Sequence, residues 1–385
     1  MLTSKNWLRA LGLIAQGLTT TTALIPILFG RADVMVSLVV VLAVVASLSP
    51  AMTLAAQTRI PIATSTEGLA VTKRASRIAL ATLSVIIGAI AIPVVGPTYG
   101  ALTAALCLTT GTYLISLALL ARAQDFRKMM LARLSYASTN AIATLGLCLT
   151  HAPTLFFLVP PSVAYLFGAS FAWTSSWRRR SPIHVTETVQ DAWAALPLSG
   201  AYLLSGLSGQ IGAFATSSLG PLAASWATSV RITSGFQNAS IQIVQPEIDI
   251  AASKAVREGD SQAVRKAFRS GLDRGLLICA VATPIVIAGA VILGTDAPTS
   301  EEIVILGVGI IGYQCSTLVV IPVERLLAMS GGRFTRLAWD AARLLLLSPA
   351  LLMGSYAAAI AWLGVSGLGL NVTLLFLTNR RLRHG

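Results

Sequence analysis

The residue whose chemistry stands out most from its surroundings is Arg231, near the middle of an apolar run at 221–245. At about 100° per residue, Ser234, Asn238 and Gln242 fall on the same face of a helix as this arginine. A permanent guanidinium charge beside neutral hydrogen-bonding groups suits the binding of an anion, and of phosphate oxygens in particular. The alternative is a packing role, in which these side chains hydrogen-bond between helices and bind no ligand.

Milder polar stripes made of Ser, Thr and Gln run along three other apolar segments. Their members recur mainly at three- and four-residue spacings, which places neighbouring members on one helical face. The stripe residues predicted to line a cavity together with Arg231 are Gln16, Thr20, Ser49, Thr53, Gln57, Ser205, Ser208 and Gln210. For each of them, contact with a water-filled cavity and hydrogen bonding between packed helices are equal alternatives.

The elements that must position these side chains are long apolar helices. Of the 385 residues, 55% are hydrophobic and 11% are charged, whereas a soluble domain carries about 25% charged residues. This composition excludes a soluble enzyme, a disordered chain and a disulfide-stabilised secreted domain. The apolar runs are about 20 residues long, which is the length that a helix needs to cross a bilayer. The sequence therefore predicts an all-α polytopic membrane protein.

Twelve transmembrane spans are predicted. They cover about 10–30, 34–57, 78–97, 99–121, 134–151, 154–174, 195–217, 221–245, 275–294, 303–323, 337–355 and 357–378. The 28 lysines and arginines concentrate in every second loop and at both chain ends, and only Arg31, Arg231 and Arg343 fall elsewhere. Because cytoplasmic loops are enriched in Lys and Arg, this alternation predicts that both termini are cytoplasmic.

The layout repeats after the sixth span. In each half the longest loop joins the second span to the third, at 58–77 and at 246–274, and both loops are basic enough to form a surface-lying helix. We therefore predict two six-helix bundles with a central cavity, an N-terminal lobe at 1–180 and a C-terminal lobe at 195–385. The segment 181–194 between them is predicted to be a cytoplasmic linker with an amphipathic, surface-lying part.

Other charges near the spans receive structural interpretations. Asp340 and Arg343 are three residues apart, so they are predicted to pair along one helix. Arg336 is assigned to the basic loop that precedes them, and Glu324 to the end of a span. Trp339 is predicted to anchor its helix at the membrane interface.

No pattern in the sequence indicates catalysis. Walker A, HExxH and GxSxG motifs are absent, and His151, His184 and His384 do not cluster. The four cysteines lie inside apolar runs without metal-binding spacing, so they are interpreted as small core residues. We expect no enzyme activity and no metal or other cofactor. The basic residues lack interleaved aromatic residues, so no nucleic-acid partner is expected.

Four segments carry a resemblance to a known family. They are Leu219-Gly220-Pro221 through Ile232, Gln245-Pro246-Glu247, Arg257-Glu258-Gly259-Asp260, and the glycine-rich stretch Gly364 to Gly369. With the two six-span halves, they resemble the polysaccharide flippase branch of the multidrug/oligosaccharidyl-lipid/polysaccharide exporter superfamily. The layout matches over the whole chain, whereas the motifs are concentrated in 195–294 and 357–383. The glycine-rich stretch resembles the entry to the last span of that family.

The resemblance implies a transporter of the bacterial cytoplasmic membrane. Its substrate would be a polyprenyl-phosphate-linked oligosaccharide or a related anionic glycolipid, moved across the bilayer by alternating access. Arg231 matches a cavity-lining arginine of the lipid II flippases. Those proteins also have basic residues within their first two spans, whereas Arg31 and Arg59 lie at span ends here, so lipid II itself is not indicated. A glycan polymerase or glycosyltransferases are the protein partners that such a function implies.

Two alternatives belong to other functional classes. A cation-coupled multidrug or small-molecule antiporter of the same superfamily usually needs a carboxylate in the cavity of its first half. Spans 1–6 hold no acidic residue in their interiors, and Asp33 lies in a predicted outer loop. A non-transporting membrane scaffold is the further alternative, and it predicts that changing Arg231 has no substrate-dependent effect.

The predicted topology can be tested by placing single cysteines in a cysteine-free parent. We expect cysteines at Thr98, Pro153 and Thr299 to react with an impermeant thiol reagent in intact cells, because they lie in predicted outer loops. A cysteine at Gly259 should react only after the cells are permeabilised. Labelling of intact cells at Gly259 but not at Thr299 would invert the topology.

Overall fold

The structure is a computed structural model, and it describes most of the chain. The described residues are 4–29, 41, 45, 47–172, 185–215, 222, 225–226, 229, 232–233, 236–237, 245–293, 299–315, 324, 328–329 and 332–384. Throughout this part of the chain the regular secondary structure is helical, with no strand. The predicted all-α class is therefore confirmed.

The chain divides into two compact units, Met1–Leu203 and Leu204–Gly385. The helices that begin in the first unit are α1 (Ser4–Leu28), α2 (Ala56–Ile62), α3 (Thr66–Val95), α4 (Pro97–Arg122), α5 (Phe126–Leu149), α6 (Val159–Ser170) and α7 (Val185–Ala215). A 3₁₀ turn at Thr154–Leu158 precedes α6. The predicted linker 181–194 falls partly outside the described residues and partly in the first turns of α7.

The second unit contains the end of α7 and five further described helices. These are α8 (Gln245–Glu258), α9 (Ser261–Leu293), α10 (Ser300–Gln314), α11 (Arg333–Leu347) and α12 (Tyr356–His384), with a 3₁₀ turn at Ser348–Leu351. Of the predicted span at 221–245, only a few isolated residues belong to the described part of the chain.

Four of the described helical segments are long and apolar enough to cross a membrane. They are Thr66–Pro93, Pro97–Arg122, Ser261–Ile292 and Tyr356–Leu377. Each corresponds to one predicted span together with its flanking turns. Their length and composition support a membrane location for the chain.

Side-chain caps determine where several helices begin. Asp125 accepts a hydrogen bond from the backbone N–H of Lys128 at 2.9 Å at the start of α5. Thr299 and Glu302 form a reciprocal capping box at the start of α10. Hydrogen bonds from the backbone N–H and the hydroxyl of Thr299 lower the pKa of the half-buried Glu302 carboxyl.

The two long basic loops differ from their predicted form. Only 246–258 belongs to a separate helix, α8, which ends before Gly259 with a φ of 69°. Asp260 then accepts a hydrogen bond from the Ala263 N–H at 2.9 Å, and α9 runs 33 residues from there. Likewise, α3 begins after Ser65 and runs 30 residues. Of the loops 58–77 and 246–274, in which surface helices were predicted, the parts 66–77 and 261–274 are therefore the first turns of membrane helices. No Pro interrupts either part.

The helix predicted at 34–57 is interrupted inside its polar stripe. Leu54 and Ala55 have φ values of 51° and 55°, a left-handed conformation that costs about 1–2 kcal/mol per residue for a side chain with a Cβ. The N–H of Ala55 donates to the carbonyl of Pro50 at 3.0 Å, which closes the preceding helical turn. The chain then resumes as the short helix α2, so Gln57 does not continue the helix that carries Ser49.

In the first unit, small residues let α3 and α4 approach closely. A Cβ on Gly88 would lie 2.7 Å from the Cβ of Ala104, and one on Gly111 would lie 2.3 Å from a methyl of Leu80. These contacts set the antiparallel register of the two helices. The rings of Tyr113 on α4, Tyr136 on α5 and Tyr165 on α6 form an aromatic cluster with centroid distances of 4.4 to 5.7 Å.

In the second unit, α10 and α12 are in backbone contact. A Cβ on Gly312 would lie 2.1 Å from the carbonyl oxygen of Gly364, and one on Gly364 would lie 2.6 Å from that of Val308. The stretch from Gly364 to Gly369 thus lies well inside α12, eight residues after its start. Its first glycines serve close helix packing and not the entry to the last span.

We expect Gly364→Ala to lower the thermal stability of the protein purified in detergent. Overpacking of this kind costs about 1–3 kcal/mol, which outweighs the helix propensity of roughly 1 kcal/mol that alanine adds. Gly369→Ala is the matched control, because a Cβ there meets no atom within 4 Å. Equal melting temperatures for the two variants would contradict the close contact.

Candidate functional site

The predicted stripe residues Ser49 and Thr53 are buried and bonded to their own backbone. The Ser49 hydroxyl donates to the carbonyl of Val45 at 2.6 Å, and the Thr53 hydroxyl donates to that of Pro50 at 3.0 Å. Both exposed fractions are 0%. These hydroxyls therefore satisfy helical carbonyl groups on the way into the left-handed turn at Leu54 and Ala55.

The other predicted residues of the first unit are distributed over two helices. Gln16 is buried in α1 and Gln57 is buried in α2, each with an exposed fraction of 7%. Thr20 belongs to α1, and its side chain lies outside the description. The choice between cavity lining and helix packing stays a prediction for these residues.

The predicted residues of the second half are mostly outside the described part of the chain. Arg231, Ser234, Asn238 and Gln242 all lie there, and so does the side chain of Gln210. Their roles stay predictions.

On α7, the predicted residues Ser205 and Ser208 lie one turn apart. Ser208 is buried and donates from its hydroxyl to the carbonyl of Ser205 at 3.0 Å. The Ser205 hydroxyl, in turn, accepts a hydrogen bond from Nη2 of Arg336 at 3.2 Å. Ser205 thus belongs to a charged cluster that sequence reasoning had not assembled.

That cluster is a buried ionic quartet formed by Glu324, Arg336, Asp340 and Arg343. Arg336 donates from Nε to Asp340 Oδ2 at 2.5 Å and from Nη2 to Glu324 Oε2 at 2.6 Å. Arg343 contacts the other oxygen of Glu324 at 3.4 Å. No side chain of the quartet is more than 7% exposed.

Two features adapt the ionic quartet to an apolar surrounding. Its formal charge is zero, because two guanidinium groups face two carboxylates, and burial of an unpaired charge would be very costly. The indole Nε1 of Trp339 also donates to Glu324 Oε1 at 3.1 Å, so both oxygens of this carboxylate are bonded.

The quartet corrects four sequence-based predictions. Asp340 pairs with Arg336, four residues away, and not with Arg343, which reaches across to Glu324. Arg336 is buried and not a loop cation, and Glu324 is a central partner and not merely a span end. Trp339 is only 5% exposed, so it does not anchor the helix at the interface. The sequence did contain a signal for the quartet, because residues 336, 340 and 343 share one helical face. Helical spacing could not identify Glu324 as the fourth member, because it lies outside that helix.

A second charged contact lies in the first unit, where α2 meets the beginning of α7. Arg59 forms a salt bridge with Asp191, and the side chains are 15% and 20% exposed. Thr72 donates to Asp191 Oδ1 at 3.4 Å. Nearby, the hydroxyls of Thr58 and Tyr202 lie 2.5 Å apart. These polar contacts hold the start of α7 against α2 and α3.

A neutral polar chain links three elements of the second unit. Thr283 donates to the side-chain oxygen of Gln314 at 2.6 Å, and the amide of Gln314 donates to Thr233 at 3.4 Å. Gln314 and Thr233 have exposed fractions of 0%. The Sγ atoms of Cys279 and Cys315 lie 3.8 Å apart beside this chain. Sequence reasoning missed this pair because Thr283 is a lone polar residue in its apolar run and Gln314 lies in a different predicted span.

Together these contacts mean that three acids buried or half-buried in the described helices, Asp191, Glu324 and Asp340, each face an arginine. Carboxylates neutralised in this way contribute no net negative field to a nearby substrate. The geometry therefore provides no excess of negative charge for a cationic ligand at either cluster.

Comparison with known proteins shows the fold. The structure matches a MOP-superfamily transporter from Pyrococcus furiosus, described as having a binding pocket of reverse polarity that suggests a different function, with a TM-score of 0.74 at 12% identity. That match covers 98% of this chain and 94% of the other. The chain therefore shares the fold of that protein, a fold of twelve helices.

Two further structures of the same fold are described as MATE transporters. An outward-facing multidrug resistance MATE family transporter of the MOP superfamily matches with a TM-score of 0.72 at 13% identity, covering 100% of this chain and 99% of the other. A mutant of the Vibrio cholerae MATE transporter VcmN matches with a TM-score of 0.72 at 12% identity, covering 99% of this chain and 96% of the other. No protein-family model and no curated protein matches the sequence.

The ionic quartet generates a stability prediction. We expect Glu324→Gln to lower the free energy of unfolding by about 3–5 kcal/mol, because Arg336 and Arg343 would both lose a buried carboxylate that they contact. Adding Arg343→Met should restore part of the loss by returning the cluster to zero charge. Thermal denaturation of the purified protein measures both effects, with the exposed Glu301→Gln as a control that should change little. A double variant less stable than Glu324→Gln alone would refute the charge-balance account.

Proposed function

We propose that the chain is a membrane transporter that moves an amphiphilic substrate by alternating access. The observation that carries this proposal is the correspondence of its whole length to transporters of one fold. The absence of recognisable catalytic motifs from the sequence supports a role in movement and not in chemical conversion. Neither argument specifies the substrate. The class of substrate must be inferred from the distribution of charges in the chain.

For the substrate, we propose an anionic glycolipid of the polyprenyl-phosphate-linked oligosaccharide class. The chain carries a net charge of +13, and its predicted eighth span holds Arg231 but no acidic residue. In the two charged clusters, the carboxylates of Asp191, Glu324 and Asp340 are each offset by arginine. An unbalanced arginine on a polar helical stripe favours a phosphate-bearing substrate over a cationic one. A bacterial cytoplasmic membrane and partner glycosyltransferases or a glycan polymerase belong to the same proposal.

A cation-coupled multidrug antiporter is the second candidate, and the comparisons favour it. Most of the similar structures are described as MATE transporters, one of them as a multidrug resistance protein. The buried carboxylates of Glu324 and Asp340 are also groups that a coupling cation would need. The pocket of reverse polarity described for the Pyrococcus furiosus transporter supports the view that the fold admits more than one pocket charge.

The two candidates can be separated with the purified chain in liposomes. One assay follows a fluorescent polyprenyl-diphosphate-linked N-acetylglucosamine as it becomes accessible to a membrane-impermeant quencher. The other follows ethidium uptake driven by an imposed Na⁺ or H⁺ gradient. We expect movement of the glycolipid and no gradient-driven ethidium uptake. The reverse pattern would establish the antiporter, and no movement of either probe would favour a scaffold.

Arg231 variants in the glycolipid assay test the proposed phosphate contact. Arg231→Ala should reduce the rate by about tenfold to a hundredfold, since a hydrogen bond to a charged group contributes about 1.5–3 kcal/mol. Arg231→Lys should recover part of the rate, because it keeps the charge but loses the fork. Arg231→Met keeps an apolar stem of similar length and should be as slow as alanine. A Met variant with normal transport and normal membrane abundance would show that Arg231 only packs.

A further inference from the structure

A small crevice between α3 and α4 in the first unit combines one cation with two hydroxyls. Its volume is about 110 Å³. The polar lining residues are Arg77, Thr112 and Ser116, and the apolar ones are Leu80, Leu108, Ile115 and Leu119. Among these described lining residues none is acidic. This crevice, called the notch below, thus places one guanidinium and two hydroxyl groups between apolar side chains.

The register of the two helices gives the depth of this notch. Because Gly111 lies against Leu80 and Gly88 against Ala104, Arg77 is level with Leu114 and Ile115, next to Ser116. Arg122, the last residue of α4, is six residues beyond Ser116, which corresponds to about 9 Å at 1.5 Å per residue. By the predicted topology this is the cytoplasmic end of both helices. A guanidinium at that depth is near the boundary between lipid headgroups and acyl chains.

The surface around the notch is suited to lipid. Ile78, directly after Arg77, is 52% exposed, and Leu108, at the notch wall, is 42% exposed. One turn towards the helix start, Lys73 and the exposed Arg74 extend the positive charge. Large exposed apolar side chains beside a band of cations favour an amphiphile with an anionic head.

We infer that this notch binds the phosphate of an anionic phospholipid with a hydroxylated headgroup, of the phosphatidylglycerol type. The forked guanidinium of Arg77 donates to the phosphate oxygens, and the Ser116 hydroxyl adds a donor. The Thr112 hydroxyl already donates to the carbonyl of Leu108 at 2.7 Å, so its oxygen acts as an acceptor for a headgroup hydroxyl. The acyl chains then lie along Ile78 and Leu108. This site depends on the membrane location of the chain and not on the proposed substrate.

Native mass spectrometry of the detergent-purified chain, titrated with phosphatidylglycerol, measures this binding. We expect Arg77→Gln to weaken the affinity about tenfold or more, and Arg77→Lys to weaken it less. Arg74→Gln is the matched control, because it removes the same charge from a residue that lies one turn away from Arg77 and does not line the notch. Its effect should stay below about twofold. Thr112→Val keeps the side-chain shape and should weaken the binding of phosphatidylglycerol. It should not weaken the binding of phosphatidic acid, which has no headgroup hydroxyl beyond its phosphate.

Further ligands distinguish the possible sources of the phosphate. Phosphatidylcholine and tail-less glycerol 3-phosphate should bind at least tenfold more weakly than phosphatidylglycerol, because one lacks net charge and the other lacks acyl chains. Equal losses of phosphatidylglycerol affinity in Arg77→Gln and Arg74→Gln would mean that the lipid is attracted only by the general surface charge. That result would refute the proposed site. Tighter binding of polyprenyl phosphate than of phosphatidylglycerol would also overturn it, in favour of a substrate contact. If Arg77→Gln fails to purify as a monodisperse protein, Arg77→Lys and Thr112→Val decide.

Discussion

The constraint on which the described structure depends is that a charge inside an apolar helix bundle must be neutralised where it lies. In the second unit, this constraint gathers Arg336, Arg343, Glu324 and Asp340 into one cluster of zero net charge. Arg336 takes part in two salt bridges and a hydrogen bond to Ser205, so α11 is tied to α7 and to the segment that carries Glu324. In the first unit the contact between Arg59 and Asp191 plays the same part for α2 and α7. Because such clusters contribute little net stability over well-packed apolar residues, their main effect is to specify which helices pair.

This constraint also shapes the functional argument. A fold shared with drug exporters is compatible with a cationic substrate only where negative charge is available to it. The acids of the two charged clusters are already committed to arginines, whereas the predicted eighth span brings an arginine without an acid of its own. The proposal of an anionic substrate therefore comes from the balance of charges and not from the fold. The names of similar structures support the other candidate, so transport measurements must decide between them.

The sequence predicted the helical class and most helix positions because apolar runs of bilayer length are an unambiguous signal. It also indicated the basic character of the loops, and hence the cations near Arg77. It did not predict the break after Thr53, because consecutive left-handed Leu54 and Ala55 have no sequence signature comparable to that of glycine. The continuity of α3 and α9 into their loops was missed because the charges at their beginnings resemble those of a surface helix.

The candidate site was less predictable than the fold. The buried position of Arg336 depends on Glu324, which lies twelve residues away in the sequence. Pairings of this kind are set by tertiary packing, so helical spacing alone assigned Asp340 to the wrong arginine. The polar chain through Thr283 and Gln314 has the same origin, because each residue is unremarkable until the other helix is in place. Sequence patterns thus identified residues that share a helix face, and not residues that meet from different helices.

The backbone contact between α10 and α12 has a mechanical consequence. Helices that touch through side chains can slide by exchanging rotamers, but Gly309, Gly312 and Gly364 offer no side chains to rearrange. A shift of a single residue, about 1.5 Å along the axis, would take Gly364 out of register with Gly309 and Gly312, where the two backbones have room to touch. The two helices therefore behave as one stiff rod. Any change of shape inside the second unit must be taken up at its other contacts, where long, flexible arginine side chains can follow their partners over a few ångströms.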